Sequence, residues 1–124
     1  MKKILILVVD DDQTLVEFLV TVLKAAGYAV EAAFGGSQGL TKARESTPDL
    51  VILDLMMPDM HGFDVCEKIR GDDKLAEAKI MISSAKAYDV DKRAAERLGA
   101  DAYVPKPFTA DVLIAEVEKL VGKP

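Results

Sequence analysis

Five times along the chain a short apolar run gives way to a longer stretch whose apolar residues recur at three- and four-residue steps, and few folds accept that alternation. The runs read as strands at Ile4 to Val9, Ala29 to Ala33, Leu50 to Leu53, Ile80 to Ser83 or Ser84, and Ala102 to Val104. The first helix carries Leu15, Phe18, Leu19, Val22 and Leu23 on one face and stops at Gly27. A second helix covers Ser37 to Glu45 and ends in the Pro48 region. A third, with Val65, Cys66 and Ile69, follows a polar loop from Asp54 to Gly62, and a fourth runs near Asp89 to Leu98 before Gly99. Thr109 is the expected N-cap of the last helix, whose Val112, Leu113, Val117, Leu120 and Val121 suit docking onto a sheet.

Strands joined by helices of this length lie parallel, and those buried on both faces read as continuous apolar runs. The first and third are the most apolar, the second contains Glu31 and the fifth is short, which puts the first pair in the centre and the second pair at the edges. The fold class is therefore α/β: a doubly wound five-stranded parallel sheet of order 2-1-3-4-5, the flavodoxin-like arrangement. Half of the 124 residues are hydrophobic, enough for one such core but not two, so a single domain over residues 1–124 is expected, with any output carried by a partner.

Ligands of open doubly wound sheets bind beyond the carboxyl ends of the strands where the strand order reverses, here between the first and third. Asp10 and Asp11 follow Val9 directly and Asp54 follows Leu53, so three carboxylates converge at that point. Crowded acids repel one another and hold protons at raised pKa unless a cation intervenes. Mg²⁺, which takes one or two carboxylates, waters and phosphate oxygens, answers that need, and a phosphoryl site is the economical reading. Asp12 reads as a helix cap, and capping alone is the competing account of Asp10 and Asp11. Lys106 reaches the same rim after the fifth strand, where an ammonium can neutralise a transferring phosphoryl group, and Ser84 brings a hydroxyl at the end of the fourth. Lys106-Pro107-Phe108 forms a shaped turn that admits a cis peptide.

With 16 basic and 21 acidic side chains the net charge is −5, which gives this chain no general attraction to nucleic acid or anionic membrane. Lys2 and Lys3 precede an apolar run of only six residues, too short for a leader, and no stretch nears the roughly 20 apolar residues of a membrane span. The single cysteine, Cys66, excludes an internal disulfide and reads as a small buried residue. A soluble, cytoplasmic protein is expected.

Four pieces, in order, are specific together: Val8-Val9-Asp10-Asp11, Leu53-Asp54-Leu55-Met56-Met57-Pro58-Asp59-Met60-His61-Gly62, Ser84-Ala85 and Lys106-Pro107-Phe108. Over essentially its whole length the chain resembles the response-regulator receiver family of two-component signalling, and the single-domain chemotaxis receivers in particular. The resemblance implies that Asp54 accepts a phosphoryl group, that Asp11 ligates Mg²⁺ directly and Asp10 mostly through water, and that the Met56 backbone carbonyl completes the protein's share. It makes Ser84 and Lys106 the conserved hydroxyl and lysine and Tyr103 the switch aromatic, which turns inward as Ser84 moves to the phosphoryl group. The implied donor is a sensor histidine kinase or histidine phosphotransfer protein, docking at Gln13, Thr14, Glu17 and Phe108. The implied output face is the fourth helix, fifth strand and fifth helix. Met56 and Lys86 occupy the positions that tune phosphoryl lifetime, and a slowly decaying phosphorylated form is expected. Such a chain is a switch that catalyses only its own phosphorylation and dephosphorylation, not an enzyme acting on others.

Two rivals share parts of this pattern. A haloacid-dehalogenase-type phosphohydrolase also pairs an aspartyl nucleophile with Mg²⁺, but resembles Asp-x-Asp there, and Met56 stands where its acid/base would be. A flavodoxin shares the strand order, yet Asp10, Asp11 and Asp12 would repel the FMN phosphate. His61 is expected to be a solvent-exposed loop residue, and Met56, Met57 and Met60 gap-fillers rather than metal ligands.

Overall fold

The computed structural model describes residues 3–85 and 89–124. The elements are β1 Leu5–Val9, α1 Gln13–Ala26, β2 Ala29–Ala33, α2 Gly36–Ser46, β3 Leu50–Asp54, α3 Gly62–Arg70, β4 Lys79–Ser84, α4 Asp89–Arg97, β5 Ala102–Pro105 and α5 Ala110–Val121. A short 3₁₀ turn, Asp73–Leu75, which no apolar period announced, lies between α3 and β4. The five strands form one sheet in the order β2-β1-β3-β4-β5, every pairing parallel.

Alternation along the strands sends side chains to two separate cores. Leu7, Val9, Val51, Leu53, Ile80 and Ile82 pack with α2, α3 and α4, whereas Ile6, Val8, Leu50, Ile52 and Met81 pack with α1 and α5. Each such aliphatic side chain, removed fully from water, stabilises the fold by roughly 1.5–3 kcal/mol. Cys66 is buried, as its apolar neighbours predicted.

Two apolar assignments need correction. Phe18 is 41% exposed and Val112 46% exposed, while Val16, Leu19, Leu23, Leu113 and Val117 are buried. Phe18 and Val112 each stand one residue from a buried leucine, and one residue turns a helix by about 100°, far enough to leave the sheet-facing stripe.

The helix ends are fixed largely by local chemistry. The Asp12 carboxylate accepts from the Leu15 N–H and caps α1, Gly27 closes it at φ +109°, and Thr109 caps α5 through the Val112 N–H. His61 is half-buried rather than exposed, since its Nδ1 accepts the Phe63 N–H at 3.0 Å and caps α3. At Gly62 a Cβ would lie 2.3 Å from the Asp54 carbonyl oxygen, so only glycine lets α3 start against the end of β3.

Candidate functional site

The carboxyl ends of β1 and β3 bring Asp10, Asp11 and Asp54 together, with one carboxylate oxygen of each within 4.8 Å of the others. Asp10 and Asp54 are 4% and 7% exposed, whereas Asp11 faces solvent. Lys106, just beyond β5, reaches under this group and donates from Nζ to Asp10 Oδ2 at 2.8 Å and Asp54 Oδ1 at 3.3 Å. The other Asp10 oxygen accepts the Asp12 N–H at 3.0 Å. Lys106 is held in place by its own N–H bond to the Ser84 carbonyl at 2.8 Å, and its peptide to Pro107 is cis.

Charge does not balance here. Burial pushes the Asp54 carboxyl above its ordinary value, and the neighbouring charge of Asp10 adds to this against the opposing pull of Lys106. Burial also works against the Lys106 ammonium, but the bond to Asp10 and the charges of Asp10 and Asp54 outweigh it, so its pKa is raised. The contact therefore secures the lysine without neutralising Asp54, because Asp10 engages the ammonium more closely. A buried surplus of hard oxygen donors open to solvent on the Asp11 side is what a divalent cation fits.

Ser84 ends β4, almost fully buried, and Tyr103 on β5 is half-buried against the core of α2, α3 and α4. Burial holds the Tyr103 phenol above its ordinary pKa, with a hydrogen bond to the Ser84 side chain pulling the other way. Ser84 and Tyr103 therefore lie near one another on adjoining strands. Met56 is 55% exposed on the β3–α3 loop, and Lys86 lies outside the described residues. Gln13, Thr14 and Glu17 are all exposed at the start of α1, and the half-buried Phe108 lines a cleft of about 480 Å³ with Pro105, Pro107 and Val112.

Two features of the site have no counterpart in the expectations. The Lys106–Asp10 ion pair is one, for sequence aimed Lys106 only at the phosphoryl group. The other is Asp59, whose carboxylate accepts the Gly36 and Ser37 N–H groups of α2, both at 3.0 Å. The Pro58-Asp59 turn marked a loop, but nothing in sequence pointed across 22 residues to its partner.

The family model described as the response regulator receiver domain matches residues 6–118. The DNA-binding response regulator MtrA of Mycolicibacterium smegmatis is 46% identical over 112 residues, covering 90% of this chain and 48% of that protein. The DNA-binding dual master transcriptional regulator RpaA of Synechocystis is 36% identical, covering 95% and 49%. The chain thus spans about half the length of these curated relatives. Among solved structures, the chemotaxis protein CheY4 of Vibrio cholerae superposes with a TM-score of 0.92 at 27% identity, covering 96% of this chain and 99% of that one. A CheY-like receiver domain protein of Methanospirillum hungatei gives 0.90 at 28% identity, covering 95% and 93%. The phosphohydrolase and flavodoxin readings gain no support from these matches.

Proposed function

Because the chain belongs to the response regulator receiver domain family, it is a phosphorylation-dependent switch of two-component signalling, and we propose that Asp54 is the carboxylate that accepts the phosphoryl group. One observation carries this reading: a buried carboxylate, held above its ordinary pKa beside two other acids, with a lysine already seated against it.

An Asp54 oxygen attacks the phosphorus of a phosphohistidine or acyl phosphate, the bond to the donor's leaving nitrogen or oxygen breaks, and an aspartyl phosphate results. Asp10, Asp11, Asp54 and the Met56 carbonyl would hold a Mg²⁺ ion, which would supply positive charge for the phosphoryl oxygens. The Lys106 ammonium, kept charged by Asp10, stabilises the same oxygens from the β5 side. Ser84 then turns its hydroxyl to a phosphoryl oxygen. Since Tyr103 lies near Ser84 on the adjoining strand, that movement reaches the surface formed by α4, β5 and α5, which serves as the effector face. The chain catalyses only its own phosphorylation and dephosphorylation.

The donor is a histidine kinase or phosphotransfer protein of the cytoplasm, contacting Gln13, Thr14, Glu17 and Phe108. The described residues contain no helix long and apolar enough to cross a membrane. Met56 offers no group that could orient an attacking water, and Lys86 shares this tuning role, so the aspartyl phosphate is long-lived. Met56→Asn should shorten its lifetime about threefold to tenfold, measured as decay after donor removal.

The acceptor is tested by incubating the protein with acetyl phosphate and Mg²⁺ and measuring intact mass. Wild type should gain one phosphoryl group, and Asp54→Asn or EDTA should reduce the gain to background. Equal incorporation in the variant would remove Asp54 from this role.

A further inference from the structure

Helices α1, α3 and α5 are each capped by the side chain of their own N-cap residue, but α2 is not. Its N-cap position is Gly35, which brings no side chain, and Asp59 of the β3–α3 loop supplies the carboxylate instead. The two residues are fitted to each other. A Cβ at position 35 would meet three Asp59 side-chain atoms at 3.0–3.2 Å, so the glycine leaves room for the distant cap. Gly35 is extended, with φ −175°, a conformation open to any residue, so backbone geometry does not explain the glycine.

The consequence lies in what else the β3–α3 loop does. At its far end the loop is tied by the Gly62 N–H to the Leu55 carbonyl at 2.8 Å, and midway by the buried Met57 side chain. Between these points run the exposed Met56, Pro58 and Asp59, and the proposed Mg²⁺ site calls on the Met56 carbonyl. Two charge-assisted bonds from Asp59 join this stretch to α2, and Asp11 and Asp59 line one cleft of about 590 Å³. Those bonds also hold the Asp59 carboxyl below its ordinary pKa, so it is ionised whenever the site can work.

We propose that Asp59 is a positioning residue: by capping α2 across the loop it holds the Met56 carbonyl in register with Asp10, Asp11 and Asp54 for the cation. This rests on the reading of those groups as the Mg²⁺ site. A ligand held by a mobile loop must be ordered on binding, whereas one held in advance need not be.

The test separates loop tethering from simple helix capping. Mg²⁺ is titrated into phosphate-free protein, following backbone amide NMR shifts of Asp11, Asp54 and Met56, for wild type, Asp59→Ala and the double variant Asp59→Ala with Gly35→Ser. The serine gives α2 a cap of its own once Asp59 no longer fills the space. Asp59→Ala should weaken Mg²⁺ binding about tenfold, yet phosphorylate from acetyl phosphate near the wild-type rate at saturating Mg²⁺. The double variant should regain stability toward urea while Mg²⁺ binding stays weak. Wild-type affinity in either variant would overturn the proposal. If instead the wild-type Asp11 and Asp54 amides ignore Mg²⁺, the metal-site reading fails first, and this inference falls with it.

Discussion

Two part-buried cations hold the molecule together in opposite ways. Arg70, at the end of α3, donates to the Gly99 carbonyl at 2.8 Å, the Ala78 carbonyl at 2.7 Å and Asp101 at 2.9 Å, and Asp101 also accepts the Ile80 N–H at 2.8 Å. One positive charge meets one negative charge, and the planar guanidinium donates to two backbone carbonyls besides. Lys106 meets two carboxylates with a third close by, and Asp54 remains above its ordinary pKa. The first network is satisfied within the protein and fastens α3 to the β4 start and the turn before β5. The second leaves an electrostatic demand that only something from outside can meet. Buried charge therefore marks function here through imbalance rather than through burial.

Removing each cation in turn separates the two networks most strongly. Lys106→Met should slow phosphoryl acceptance from acetyl phosphate by about a hundredfold or more, since a preorganised charge on the transferring group is lost. Arg70→Met should leave that rate within about twofold but cost roughly 1–3 kcal/mol in urea unfolding, because Asp101 and two carbonyls lose their donor while remaining partly hydrated. Similar kinetic losses in both variants would erase the distinction.

A second effect concerns pH in the absence of Mg²⁺. The raised Asp54 pKa means that the folded state binds this proton more tightly than the unfolded state, so stability falls as pH rises from the ordinary carboxylate range through the folded value. At neutral pH, metal-free Asp54→Asn should accordingly be more stable than wild type, and the two should converge in acid. Added Mg²⁺ should narrow the difference by stabilising wild type alone. Thermal unfolding across pH, with and without Mg²⁺, reads all three statements.

The smallest effect tests whether unmet demand extends beyond the acids. Among the described residues Ser83 Oγ is buried with no hydrogen-bond partner, and Ser83 is the register partner of Asp54 on the neighbouring strand. Ser83→Ala should stabilise the fold by about 1 kcal/mol, since an unpaired buried hydroxyl is removed. A loss of stability instead would mean that the hydroxyl is paired in solution, for instance by water.

Much of this was legible before the fold was known. The strand order followed from which runs were unbroken and which carried Glu31 or were cut short, and Asp12, Gly27 and Thr109 announced the helix ends through chemistry within a few residues. The errors at Phe18 and Val112 came from treating an apolar residue beside the stripe as part of it. His61 was misjudged because its cap bond, to the Phe63 N–H, needs a loop geometry that a residue type does not specify.

What the sequence determined by itself is what depends on local pattern and topology: the doubly wound sheet, and the arrival of Asp10, Asp11, Asp54, Ser84 and Lys106 at one rim, since each directly follows or ends a strand whose place in the order was readable. Only the tertiary structure decided who pairs with whom. That Lys106 binds Asp10 more closely than Asp54, that Arg70 fastens Asp101 and that Asp59 caps α2 are choices made over a few tenths of an ångström between chain segments 22 to 96 residues apart. Hydrophobic periodicity encodes which face of an element is buried but carries no information about such distances, and hydrogen bonds and ion pairs depend on them steeply.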